Sequence, residues 1–394
     1  MPGGTLLGVR PTKLAFQKRE EGFGREEFLS WFRKEYLVSE DKAALAWDIS
    51  GRERTLLGQL DLNEGYSLYI GIPFLPYRMQ LLFFQFRSYR GLGGPCDGLP
   101  GCPVPRARFD CRVFRRKASE LYFISEEEHQ HLFSARELER LLSFVDEHFD
   151  RSRLLEYTVE AGRPDSITRE KLEVMKKHGV TRISVNPQTM QQKTLDLIGR
   201  KHTVEEIEEV FCLAREIEFD NINMDLIAGL PGEGPAEMQD TLEKVGRLSP
   251  DSLTVHSLAI KRAARMGQEE QKARMGTDIG EMIRMAEEAA GRMGLTPYYL
   301  YRQKNIAGNF ENVGYAKVDK AGIYNILIME EKQSILAAGA GASSKIVLKE
   351  PCPMPGSRKK KLTNLIRIEN VKAIDAYIER IDEMIQRKGE WLWH

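Results

Sequence analysis

The sequence predicts an α/β fold: a partial (β/α) barrel, with an N-terminal helical segment before it and a smaller C-terminal α+β domain after it. Three observations carry this. Between 134 and 260, short apolar runs alternate with helical stretches, the pattern of a parallel sheet with right-handed crossovers. The run from Ser67 to Pro73 mixes Tyr and Ile with small residues and reads as a buried strand closed by proline. The flanks differ: 25–58 reads as helix with charged faces, and 261–292 as a helix rich in Met, Arg and Glu. The expected boundaries are 1–64 for the helical segment, 65–260 for the barrel, with 75–133 aberrant, and 261–394 for the last domain.

Taken in order, the start through Lys13 is not a clean domain beginning and reads as truncated. Phe28, Trp31, Phe32 and Leu37 supply an apolar face, and Ser39 caps the next helix. After the strand at 67–73 the character changes. Residues 91–105 carry Gly-Leu-Gly-Gly-Pro, Gly-Leu-Pro-Gly and Pro-Val-Pro, and arginines crowd 106–116. A structureless stretch of that length does not suit an α/β pattern, so an irregular sector is expected, cut first by proteases between Arg87 and Lys117. From Ser134 the pattern is again a helix, with Ser134 as N-cap and Glu137 three residues on. Strands follow at Leu155–Val159, Arg182–Val185, Ile222–Ile227 and Leu253–Leu258, and helices at about 168–178, 203–217 and 235–247. Arg358 to Lys361 reads as a basic surface turn, and Val371 to Arg387 as a closing helix.

Composition removes several function classes. With 58 basic and 58 acidic residues the formal charge is zero, which gives no nucleic-acid footprint and no polybasic membrane anchor. No apolar run reaches transmembrane length, and no signal peptide opens the chain. Cys96, Cys102, Cys111, Cys212 and Cys352 are odd in number and irregular in spacing, so neither a disulfide framework nor a zinc site is indicated. A reducing cytoplasm and a monomer are expected.

In such barrels the carboxyl ends of the strands carry function. Glu160 follows one strand, Asn186-Pro187-Gln188 the next, and Asp225 sits at a strand end before a glycine turn; Arg200 lies in Leu195-Asp-Leu-Ile-Gly-Arg-Lys-His-Thr203. Two acids, an amide and a guanidinium on one rim suit a zwitterionic nucleoside: carboxylates and amide for hydroxyls and the amino group, guanidinium for the carboxylate. Each also has a plainer reading: Glu160 as a solvated edge residue, Asp225 as acceptor for local backbone donors, Arg200 as part of a surface turn. His202 and His256 have no metal-ligand partners at useful spacing and read as surface or core histidines.

The strings Tyr69-Ile-Gly-Ile-Pro-Phe, Thr158-Val-Glu-Ala-Gly-Arg-Pro-Asp, Arg182-Ile-Ser-Val-Asn-Pro-Gln-Thr-Met, Leu197-Ile-Gly-Arg-Lys-His-Thr and Asp225-Leu-Ile-Ala-Gly-Leu-Pro-Gly stand in this order. So do Tyr298-Tyr-Leu-Tyr-Arg-Gln-Lys-Asn and Gly308-Asn-Phe-Glu-Asn-Val-Gly-Tyr. Together they resemble the oxygen-independent coproporphyrinogen III oxidase family of the radical-SAM superfamily, in its coproporphyrinogen dehydrogenase branch. The resemblance implies a [4Fe–4S] cluster that cleaves S-adenosylmethionine, and an adenosyl radical that starts decarboxylation of two propionates in haem biosynthesis. It also implies a tetrapyrrole substrate and an electron donor as partners. By family position Tyr69 lies beside cluster and S-adenosylmethionine, and Glu160, Gln188, Arg200 and Asp225 line the rest of that site.

The departure is severe. Where the family has CxxxCxxC, this chain has Leu75, Met79 and Leu82, and the second signature, GGGTP, is missing. No cluster is expected on this chain, and none of its residues is assigned a catalytic role. Read one nucleotide later, the codons for Met79 and Gln80 give Cys without choice, and Leu75 and Leu82 give Cys if both codons end in TG. Read two nucleotides later, Ile124 to Leu132 can give Phe-Gly-Gly-Gly-Thr-Pro-Thr-Ser-Leu. Residues 75–133 are therefore read as out-of-frame translation of a cluster-binding segment. Three readings stay open: an enzyme record damaged by frameshift, a cluster-free relative that binds haem or S-adenosylmethionine, and a non-functional product.

Overall fold

The computed structural model describes residues 10–62, 65–72, 119–126, 134–258, 269–301, 311–355 and 361–392, with 119–126 and 269–277 described as backbone. Leu75, Met79, Leu82, the glycine- and arginine-rich stretches and most of the basic turn at 358–361 lie outside the described residues. In chain order the elements are α1 (Pro11–Glu20), α2 (Arg25–Tyr36), α3 (Glu40–Leu57), β1 (Tyr66–Ile72), β2 (Ser119–Glu126), α4 (Ala135–His148) and β3 (Glu156–Glu160). There follow α5 (Arg169–Lys177), β4 (Arg182–Gln188), α6 (Gln192–Leu197), α7 (Val204–Glu216), β5 (Ile222–Ala228), α8 (Pro235–Leu248), β6 (Ser252–Ser257) and α9 (Glu269–Arg292). The last are β7 (Thr296–Tyr301), β8 (Asn312–Ala316), α10 (Ile323–Glu330), β9 (Ser334–Ala338), β10 (Ser343–Pro353), β11 (Leu362–Glu369), α11 (Ile374–Glu379) and α12 (Ile381–Leu392). The predicted α/β class holds.

Two compact units are built from separate stretches: Met1–Gln59, Ala161–Leu172 and Thr181–Glu330 form one, and Leu60–Glu160, Glu173–Val180 and Glu331–His394 the other. The first unit opens with three helices. Pro11 starts α1, where its missing N–H costs nothing. The Ser39 hydroxyl accepts from Lys42 N at 3.4 Å and caps α3, as the sequence predicts. Phe28 stacks between Phe32 (ring centroids 4.8 Å apart) and Trp47 (5.1 Å), which ties α2 to α3.

The sheet of this unit runs β4-β5-β6 in parallel, then β8 antiparallel to β6, then β7. Alternation along β5 and β6 sorts the side chains. Met224, Leu226, Leu253 and Val255 are buried apolar residues, while Asn223, Asp225, Ser252, Thr254 and His256 share the opposite, polar face by register. Thr203 and Glu206 form a capping box at the start of α7.

In the second unit β1 lies between β2 and β9, parallel to both; β3 adds beyond β2, and β10 and β11 add antiparallel beyond β9. The Ser134–Glu137 capping box on α4 is present, with Ser134 N to the Glu137 carboxylate at 2.9 Å. The sector 75–133 is expected to be irregular; its described part, Ser119–Glu126, is a strand paired on both sides, with a register shift against the start of β1. Leu121-Tyr-Phe-Ile124 is a run of strand formers, and two open neighbours complete its ladder. The expected helix 371–387 is also two helices, broken at Arg380. Each is anchored separately: the Tyr377 hydroxyl accepts from Gly339 N, and Lys388 donates to Ala337 O.

Candidate functional site

In the first unit the polar face centres on Asp225. The sequence places it at a strand end; it stands instead as the fourth of seven residues in β5, four before Gly229. Its Oδ1 accepts from Asn223 Nδ2 at 2.8 Å. Asn223 is itself fixed: it donates to Ser184 Oγ at 3.2 Å, and its Oδ1 accepts from Thr254 Oγ1 at 3.3 Å. Asp225 Oδ2 lies 3.9 Å from His256 Nε2, and His256 Nδ1 lies 3.2 Å from the Tyr301 hydroxyl. Tyr301 stacks on Tyr299, with the rings 6° from parallel and centroids 6.2 Å apart. Tyr299 in turn covers Gly314 so closely that a Cβ there would overlap its ring.

Burial alone would raise the Asp225 carboxyl. The His256 imidazole and the Asn223 and Thr254 donors outweigh it and hold the group below the usual carboxylate range. The cluster therefore presents a carboxylate biased to its ionised form among hydrogen-bonding groups. Tyr299 moves the other way, well above the ordinary phenol, through burial and then its neighbours Tyr298, Tyr301 and Asp225.

Gln188 is the last residue of β4 rather than beyond it, and it takes a left-handed backbone (φ 70°). The next turn is locked: Thr189 donates to Glu233 at 2.6 Å and Gln191 to Asp240 at 2.6 Å. That lock holds Gln188 in a conformation a non-glycine residue seldom adopts. Arg200 is half-buried in the turn after α6, its N–H bonded to Leu195 O at 2.9 Å, next to Gly199 with φ 74°. His202 is fully buried, and burial, more than any neighbour, pushes its imidazole down.

In the second unit Tyr69 and Glu160 share one face by register: Tyr69 pairs through β2 with Thr158, two residues before Glu160. The Tyr69 ring lies over Gly71, where a Cβ would stand 3.1 Å from it. Glu160 is half-buried at the end of β3. Gly339, at φ 109°, rests on the Gly71 carbonyl with no room for a Cβ.

Sequence reasoning missed His256, Tyr301, Asn223 and Thr254. His256 was read as a surface or core histidine; it is partner to Asp225. The legible signal was the period of two in β6, where Ser252, Thr254 and His256 alternate with Leu253 and Val255. Among the described residues no group of three or more His, Cys, Asp and Glu side chains is placed to hold a metal ion, and no helix is long and apolar enough to cross a membrane.

A sequence profile of the Radical SAM superfamily matches residues 121–245. The chain is 37% identical over 402 residues to the oxygen-independent coproporphyrinogen-III oxidase-like protein HemZ of Bacillus subtilis, covering 99% of this chain and 76% of that protein. It is 34% identical over 129 residues to the heme chaperone HemW of the same organism, covering 32% of this chain and 34% of that one. Among solved structures, coproporphyrinogen III oxidase (HemN) of Escherichia coli, a radical SAM enzyme, superposes with TM-score 0.56 at 16% identity, over 85% of this chain and 73% of that chain. This establishes the same fold, the partial barrel of that enzyme class. The chain thus belongs to the oxygen-independent coproporphyrinogen III oxidase family of the radical SAM superfamily.

Proposed function

We propose that this chain derives from an enzyme that oxidatively decarboxylates coproporphyrinogen III to protoporphyrinogen IX, and that as written it does not perform that reaction. The observation that carries this is Leu75, Met79 and Leu82 at the three places where family members present cysteine. A [4Fe–4S] cluster is held by thiolates, leucine has no lone pair, and a thioether is a weak neutral ligand. The donor set does not fit the cluster. Cys212 on α7 and Cys352 on β10 are free, and they do not reproduce the spacing of three sulfurs in one turn.

The polar residues of the first unit suit S-adenosylmethionine instead: Asp225 offers a carboxylate for ribose hydroxyls, Gln188 an amide, and Arg200 a guanidinium for the methionyl carboxylate. In the family the bound sulfonium supplies the adenosyl radical. Here these residues would bind and orient the nucleoside alone. The 34% identity to a heme chaperone favours a second reading, a cluster-free relative that binds haem or S-adenosylmethionine.

The test is anaerobic incubation with S-adenosylmethionine, a strong reductant and coproporphyrinogen III, followed by chromatography. No 5′-deoxyadenosine and no vinyl product are expected; either product contradicts the proposal. Haem titration, followed by visible absorption, addresses the second reading.

A further inference from the structure

We propose that His256, oriented by Tyr301, is a positioning residue that holds Asp225 in its ligand-binding orientation; this rests on the reading of Asp225 as a ligand to the adenosyl group. The geometry divides the two oxygens of Asp225. Oδ1 is tied to Asn223, which Ser184 and Thr254 hold in place. Oδ2 faces His256 Nε2 at 3.9 Å, within ion-pair reach and too long for a hydrogen bond. The side chains of His256 and Asp225 are 29% and 19% exposed, so the pair is reachable from solvent.

The ring of His256 is not free to turn. Tyr301, fixed by its stacking on Tyr299, places its hydroxyl 3.2 Å from Nδ1. The Tyr301 hydroxyl at Nδ1 fixes the plane of the ring and keeps Nε2 toward Asp225. Tyr301, His256 and Asp225 form one polarised row across β7, β6 and β5, and it passes over Asn312, which pairs by register with Tyr301. Among the described residues, the ionisable groups placed at the cluster are His256 on β6 and Tyr299 and Tyr301 on β7; Ser184 on β4, Asn223 on β5 and Thr254 on β6 are neutral. Without His256, burial acts on Asp225 against the Asn223 and Thr254 donors only, and the carboxylate loses one of the groups that aim it and bias it to the ionised form.

Two readouts on the full chain test this. The first needs no ligand: the ¹³C carboxyl resonance of Asp225 is titrated in wild type, His256→Phe, His256→Gln and Tyr301→Phe. The midpoint is expected to rise in His256→Phe, with His256→Gln, which keeps a donor, nearer wild type. The second is S-adenosylmethionine affinity by calorimetry, expected to weaken about threefold in His256→Phe, the scale of one partly exposed ion pair, and less in His256→Gln. Circular dichroism confirms that each variant is folded. An Asp225 midpoint unchanged in folded His256→Phe overturns the inference. Unchanged affinity overturns it too where Asp225→Ala loses binding. A shifted midpoint with no S-adenosylmethionine binding in wild type overturns the adenosyl reading instead and leaves the positioning role standing.

Discussion

Glu53 lies fully buried on α3, and neither carboxyl oxygen has a hydrogen-bond partner. Burial, followed by the charge of Glu330, pushes its carboxyl up from 4.5 to about 10. Glu330 is buried at the end of α10 and accepts from Thr12 at 3.1 Å. The sign follows from linkage. Below about pH 4.5 the group is protonated both folded and unfolded, and its contribution is intact. Above that the unfolded chain releases the proton and the folded chain keeps it, so stability falls as pH rises, until the folded group titrates near 10. The slope is up to about 1.4 kcal/mol per pH unit, or about 3 kcal/mol between pH 5 and pH 7. Glu53→Gln removes the titration. Its buried amide adds an offset of about 1–3 kcal/mol if unpaired, independent of pH. Urea unfolding at pH 5, 6 and 7 reads the slope rather than the offset. Wild type is expected to lose stability across this window, and Glu53→Gln to lose about 3 kcal/mol less. Parallel profiles for the two proteins would refute the reasoning.

Lys388, buried on α12 with Ala337 O at 2.7 Å, is pushed down by burial, and then by Arg387, to about 7. It is charged in the unfolded chain up to about 10.5, so its contribution rises with pH from 7 to 10.5 and is missing below 7; Lys388→Met should flatten that rise, and thermal unfolding at pH 7 and 9 shows whether it does. Gly339→Ala must fit a Cβ against the Gly71 carbonyl at φ 109° and should cost at least about 2 kcal/mol in chemical denaturation; a cost near zero contradicts the close approach of β9 to β1. The gene is expected to carry codons ending in TG at Leu75 and Leu82, and any other codon at either place sinks the frameshift reading.

The barrel strands were legible because each is a short apolar run next to a helical stretch; Ser134 with Glu137 marks one helix start to the residue. Three things were not. α1 is weakly amphipathic, so its period is hidden until its residues meet α3. β10 alternates half-buried and buried residues only over Ser343–Val347 before turning exposed, and β11 alternates exposed residues with half-buried or buried ones, so only their antiparallel pairing makes them strands. In the candidate site, Asp225 and Gln188 were visible as single polar residues in or at the end of apolar strands. Their partners His256, Tyr301 and Thr254 come from other strands, 29 to 76 positions along the chain from Asp225, and proximity across a sheet leaves no local mark. At Ser119–Glu126 the sector expected to be irregular holds a paired strand for the opposite reason: a local run of strand formers suffices once neighbouring strands flank it.

The central claim is that a chain with leucine, methionine and leucine in its first loop has lost its iron cage. Strictly anaerobic reconstitution of the purified chain with ferrous iron and sulfide, followed by desalting and determination of bound iron and visible absorption, tests it most directly. The account predicts a colourless protein with no stoichiometric iron. A brown protein that retains about four irons per chain, with the broad absorption of thiolate-bound iron, would contradict it.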